Sequence, residues 1–210
     1  MMFFGNSLTS MVATLLAVLM AITFHETAHG YIAYRLGDPT AKNQGRLTLN
    51  PIAHLDPIGA LMMFVFGFGW AKPVPVNPFY FEGDRTKGMM LVSVAGPLTN
   101  LIISFAAYFI YVAGSGFAAI PFLSIFLSTT VTLNIYLAVF NLIPIPPLDG
   151  SKILAGLLPK ATAYKFLNTV EQYGFLILML LIFFNITDMI MVPVANVILS
   201  FFTFILQLIF

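Results

Sequence analysis

Five stretches of the chain are apolar for long enough to cross a bilayer, and polar residues gather between them. The first runs from about Ser7 to Tyr34 and ends in Arg35-Leu36-Gly37-Asp38-Pro39, a basic residue followed by Gly and Pro stop signals. Residues 40–57 are polar and turn-rich, with Lys42, Arg46, Asn50-Pro51 and Asp56-Pro57. Ile58–Trp70 is apolar again, but at about 13 residues it is too short to cross. From Lys72 to Lys87 the chain is polar, and Pro73, Pro75 and Pro78 favour an extended path in which Val74 and Val76 offer an edge to an unwound peptide. Met89–Val112 reads as the second span, Gly114-Ser115-Gly116 as an uncharged turn, and Pro121–Ile143 as the third span, ended by Pro144, Pro146 and Pro147. A short amphipathic piece, Ser151–Leu158, precedes a last hairpin of two spans, Phe166–Phe184 and Val194–Phe210, around Asn185–Pro193. The pattern predicts an all-α polytopic membrane protein of five transmembrane helices plus a re-entrant or extended element between the first and second. It forms a single domain over 1–210, with a core at about 7–158 and a C-terminal hairpin at about 166–210.

Composition supports lipid as the solvent. Hydrophobic residues make up 60% of the chain, charged residues 8%, and the mean hydropathy is +0.96, where a soluble domain carries roughly a quarter charged residues. A net charge of +1 gives no electrostatic argument for a nucleic-acid partner. The absence of cysteine excludes disulfides and thiolate metal sites. No Lys or Arg precedes the first apolar stretch and no small-residue cleavage site ends it, so it reads as a span and not as a cleavable signal. All nine basic residues lie in 35–46, 72–87 and 152–165, and none lies in the N-terminus or the connections at 113–120 and 185–193. The positive-inside rule then puts the N-terminus outside, the basic regions and the C-terminus in the cytoplasm, and both ends of the 58–70 stretch on the cytoplasmic side.

The first span carries His25-Glu26-Thr27-Ala28-His29. Residues i and i+4 sit about 40° apart on a helix and about 6 Å apart along it. Both imidazoles therefore point the same way and can share one tetrahedral zinc, with Glu26 beside the first ligand as a general base. Each ionisable side chain at mid-membrane costs roughly 2.5–3.5 kcal/mol on insertion scales, and a metal with its water compensates three of them. A metal or proton pathway through a transporter also explains buried polar residues, but not the i, i+1, i+4 order. A third protein ligand is needed, and His54, Asp56 and Asp149 are the candidates. Asp149 follows the triple-proline break and is the only acid between Asp84 and Glu171; the alternative role for it is to cap the helix beginning near Ser151. His29 and His25 lie roughly 9 and 15 Å from the end marked by Arg35, within reach of a loop dipping in from that side. Asp56, ahead of Pro57, reads more naturally as a turn former.

His-Glu-x-x-His in a spanning helix, followed by Asn141-Leu-Ile-Pro-Ile-Pro-Pro-Leu-Asp149-Gly150, resembles the site-2 protease family of intramembrane zinc metalloproteases. The resemblance covers most of residues 20–155, including Gly45–Gly59, Phe68–Pro78 and Ala95-Gly-Pro-Leu-Thr-Asn100, with no room for a PDZ or cystathionine-synthase-like regulatory domain. It implies a single membrane-embedded metalloprotease domain with His25, His29 and Asp149 holding one zinc per chain and Glu26 as the base. It also implies hydrolysis of peptide bonds within or near the transmembrane segments of protein substrates, in the cell membrane, with access from the cytoplasmic side. Asn100 and Asn141 are polar residues in apolar helices, for which interhelical hydrogen bonding is the plain role. In the family their patterns are associated with the substrate cleft, where either amide could donate to a developing oxyanion. His54, in the re-entrant region, has an oxyanion or ligand-supporting role as one reading and a structural hydrogen bond as the other.

Overall fold

The computed structural model describes residues 7–66, 69–114, 116 and 119–209; Phe68, Ser115 and Phe210 of the segments above lie outside the described residues. Helix α1 spans Leu8–Arg35. Ser7 caps it by accepting from the Ser10 N–H while the Ser10 hydroxyl group accepts from the Ser7 N–H. It stops at Gly37, whose φ of +103° a side-chain-bearing residue rarely adopts, and the Asp38 N–H closes the end on the Ala33 carbonyl. A single turn, α2, follows at Thr40–Asn43.

The apolar stretch too short to cross forms α3, Pro57–Phe66. Asp56 starts it by accepting from the Gly59 N–H at 2.8 Å, the turn-forming role expected of it. The excursion closes on itself: Leu55 and Ala71 form an antiparallel bridge, and the Lys72 N–H donates to the His54 carbonyl at 3.0 Å. Its two ends thus lie side by side, as a re-entrant element requires. Among the described residues this bridge is the only β pairing. The segment beyond it runs along α1 and is tied to that helix's end by the Asn77 N–H, which donates to buried Asp38 at 2.7 Å.

Helix α4 spans Arg85–Ala113, starting earlier than the hydrophobic pattern alone predicts because Asp84 accepts from the N–H groups of Thr86 and Lys87. Helix α5 is Pro121–Asn141, α6 is Asp149–Leu157, α7 is Lys160–Phe183 and α8 is Ile186–Gln207. Helices α1, α4, α5, α7 and α8 are long and apolar enough to span a membrane, so the expectation of an all-α polytopic chain with five spans holds. The last hairpin differs in detail. Its connection is the pair Phe184–Asn185, with Asn185 at φ 56°, and Pro193 lies inside α8 instead of ending a loop. A spanning helix tolerates an internal proline because its neighbours satisfy the freed carbonyl.

Helices α1, α4 and α5 pack against one another through small residues, among them Ala13, Ala17 and Ala21 on α1 and Ser93, Gly96, Ser104 and Ala107 on α4. In lipid there is little hydrophobic drive to bring helices together, so close backbone approach supplies the attraction. On this three-helix core α8 adds Met191, Ala195 and Phe202 against Leu127, Val131 and Ile135 of α5. Helix α7 rests on α6 and α8, with Leu178 against Ile143 and Leu148.

The Ser104 hydroxyl donates to the Val131 carbonyl at 2.8 Å across the α4–α5 contact, with no exposure to solvent. Ser104→Ala is expected to lower stability by only about 0.6 kcal/mol. Ser104→Leu, which forces a larger side chain into the contact, is expected to cost about 1–3 kcal/mol. Thermal unfolding of the two variants in detergent checks the order.

Candidate metal centre

Three buried side chains converge at the heart of the three-helix core. Helix α1 presents His25 and His29 one turn apart, and Asp149, the first residue of α6, faces both. The two Nε2 atoms are 3.0 Å apart, and Asp149 Oδ2 lies 3.3 Å from that of His25 and 3.1 Å from that of His29. Donors held about 2.0–2.1 Å from a tetrahedral zinc stand roughly 3.3 Å from one another, so this triangle has the dimensions such an ion needs. Two neutral imidazoles and a carboxylate are also a donor set suited to it. Among the described residues no other group of three metal-ligating side chains converges in this way.

Each ligand's far side is held. His29 Nδ1 faces the Val92 carbonyl at 2.7 Å, and a carbonyl only accepts, so Nδ1 carries the proton and Nε2 is left with its lone pair. His25 Nδ1 faces Asn100 Oδ1 at 2.5 Å. Asp149 takes no capping role: the helix cap is Leu148, without a side-chain bond. With both imidazole protons on Nδ1, the two Nε2 lone pairs and the Asp149 carboxylate oxygen face one another, three acceptors that a cation between them would satisfy.

Two glycines make the convergence possible. A Cβ on Gly96 would lie 2.6 Å from Cε1 of His25 and 2.6 Å from Nε2 of His29, so the face of α4 opposite the imidazoles must be bare. A Cβ on Gly150 would overlap the carbonyl oxygens of Leu142 and Ile143, so the loop carrying the cis Pro146–Pro147 peptide could not fold onto the start of α6.

Glu26, next to His25, has its carboxylate placed by the proline-spaced segment: the Val74 N–H donates to Oε2 at 2.8 Å. That segment is clamped two residues earlier. Arg46 Nη2 donates to the Lys72 carbonyl at 2.7 Å, and the Lys72 N–H is taken by His54. The edge expected to meet a peptide is thus engaged at Lys72 and Val74, and Pro73 and Pro75 offer carbonyls without N–H groups.

The remaining sequence-derived residues fall elsewhere. His54 is fully buried with Nε2 on the Thr48 carbonyl at 2.8 Å and near the Thr27 hydroxyl at 3.5 Å, and it does not join the triangle. Asp56 is likewise outside it. Asn141 bonds back to the Leu137 carbonyl of its own helix at 2.9 Å and is half-buried. Asn100 is fully buried and engaged with His25, Ala21 and Asn134, a supporting position and not an open amide. Sequence reasoning missed Asn134, although it is a polar residue in an apolar helix like the two asparagines it singled out. It also had no signal for the Val92 carbonyl or the Val74 N–H, because main-chain partners leave no mark in residue identity.

Comparison with known proteins gives the same direction. The family model for peptidase family M50 matches residues 115–184, a stretch that contains the Asn141–Gly150 motif and Asp149. The chain is 42% identical over 187 residues to YwhC of Bacillus subtilis, named as a candidate zinc metalloprotease, covering 86% of this chain and 84% of that one. It is 31% identical to Rip2 of Mycolicibacterium smegmatis, similarly named, over 78% of this chain and 64% of the relative. It is 28% identical to the archaeal MJ0611 of Methanocaldococcus jannaschii, again named as a candidate zinc metalloprotease, over 70% and 72% of the two chains. No solved structure matches.

Gly96→Ala is expected to abolish zinc retention while leaving helix content unchanged, because the new methyl group meets both imidazoles. Metal analysis of detergent-purified protein beside its circular dichroism checks this. A variant that keeps a full complement of zinc would mean that the ion does not sit between His25 and His29.

Proposed function

The chain belongs to peptidase family M50, the site-2 protease family of membrane zinc metalloproteases, and from that membership we propose that it hydrolyses peptide bonds within or near the transmembrane segments of other membrane proteins. The observation that carries the reading is the convergence of Asp149 with His25 and His29, two residues of a helix long and apolar enough to span, with Glu26 next to His25 in sequence.

In this reading His25 Nε2, His29 Nε2 and Asp149 Oδ2 hold one zinc ion per chain. Zinc bound there supplies a Lewis acid that polarises the scissile carbonyl and makes a water acidic enough to attack at neutral pH. Glu26 would take the proton of the attacking water as the new C–O bond forms, and deliver it to the amide nitrogen as the C–N bond breaks. The Val74 N–H holds the carboxylate in place for both transfers. A substrate helix hides its carbonyls in its own hydrogen bonds, so it must unwind locally, which Gly and Pro in the substrate favour. The positive-inside rule supports a reading in which Arg46, Lys72 and the entry for water lie on the cytoplasmic side, with the N-terminus outside. Cleavage of this kind is the chemistry by which a membrane-anchored segment is released under control.

Glu26→Gln tests the assignment. It is expected to keep about one zinc per chain and to lose at least about a hundredfold in cleavage of a reporter transmembrane segment, the low end of what a positioned acid–base group contributes. Asp149→Asn is expected to lower zinc retention. Near-normal cleavage by Glu26→Gln would remove Glu26 from the role of base. An inability of zinc-loaded wild-type protein to cut any unwound transmembrane reporter would remove the membrane-segment assignment.

A further inference from the structure

Asn134 lies in the middle of α5, fully buried, and touches no metal ligand. Its side chain nevertheless determines what His25 can do. The Asn134 Nδ2 donates to the Thr130 carbonyl at 2.8 Å, which a carbonyl permits and an amide oxygen there would not. That fixes the amide: Oδ1 of Asn134 must point the other way, where it accepts from Asn100 Nδ2 at 2.6 Å. Asn100 Nδ2 also reaches the Ala21 carbonyl at 3.3 Å, a second group that can only accept. Asn100 is thereby fixed in turn, with Oδ1 toward His25 Nδ1. An oxygen there requires the proton on Nδ1, and the lone pair of Nε2 is then free at the triangle.

Two main-chain carbonyls, on α1 and α5, thus dictate the tautomer of a side chain through two amides. Asn100 and Asn134 have no exposure to solvent, so in the folded chain neither amide is partnered by bulk water. If Asn100 turned over, its NH₂ would face His25 Nδ1, the imidazole proton would move to Nε2, and that N–H would point into the space the ion needs.

We propose that Asn134 is a positioning residue for the metal centre: through Asn100 it holds His25 in the tautomer that binds zinc. This rests on the reading that His25, His29 and Asp149 hold zinc. Partners of this kind typically change metal affinity 10–100-fold. With the Ala21 carbonyl still in place, the loss for Asn134 belongs at about tenfold, the low end of that range.

The test is zinc binding by the full chain in detergent, stripped of metal and titrated with zinc against a chelating dye, with metal-free thermal stability measured alongside. Asn134→Leu is expected to bind zinc about tenfold more weakly. The double variant Asn134→Leu with Asn100→Asp is expected to recover wild-type affinity, because a carboxylate has no donor end to turn toward His25. A residue that merely packs would shift metal-free stability and leave both affinities alone. Unchanged affinity in Asn134→Leu, or loss that Asn100→Asp does not repair, would overturn the proposal while leaving the metal site standing. Failure of the wild type to bind zinc would overturn the metal reading and this with it. Should Asn134→Leu not fold, Asn134→Ala carries the same expectations, since it too removes the amide without adding volume.

Discussion

Everything in this molecule is shaped by the absence of water around the polar groups that its helices carry into an apolar interior. In a soluble core a stray amide or imidazole can borrow a solvent molecule; in the middle of a bilayer each must find its partner within the protein. His25, His29, Asn100, Asn134 and Ser104 all do so, and several of the acceptors are main-chain carbonyls: Val92, Ala21, Thr130 and Val131. A carbonyl that accepts from a side chain cannot reverse its role, which makes it a reliable reference for the orientation of everything bonded to it. The three-helix core is thus a polar network enclosed in small apolar residues, and the candidate metal site is where the network ends.

The packing follows from the same requirement. For α1 and α4 to come close enough that an imidazole meets a facing carbonyl, the residues between them must be small. Gly96 is placed where any side chain would meet both ligands. Asp149 arrives by a different device: α5 ends, the proline-rich loop turns, and α6 begins with the carboxylate already inside. Gly150 allows the loop to lie directly on the start of that helix. A carboxylate from a helix start thus meets two imidazoles from a helix interior at the candidate metal site.

Much of this was legible in the sequence, for definite reasons. The spans read clearly because lipid imposes long uninterrupted apolar runs, and His25, Glu26 and His29 read clearly because helical spacing converts sequence interval into direction. Asp149 stood out as a lone acid after a proline break. The ends of the last hairpin were misjudged because Pro193 looks like a stop in a sequence while being tolerated within α8, and because a two-residue turn at Asn185 has almost no compositional signal. Asn100 reads as a polar residue in an apolar helix with its purpose open, since residue type does not reveal whether a buried amide faces another side chain or a substrate. The hold on Glu26 was invisible: a main-chain N–H at Val74 belongs to no motif.

The proline-spaced segment beside Glu26 has one more property. Exposed extended chain in a crowded membrane invites association with an identical neighbour, the first step toward aggregates that no longer work. Here Lys72 and Val74 have their N–H groups committed inward, and Pro73 and Pro75 have none to give. Two such edges brought together would set oxygen against oxygen along both rows. The stretch from Lys72 to Pro75 therefore has no N–H left to give to the same stretch of a second copy.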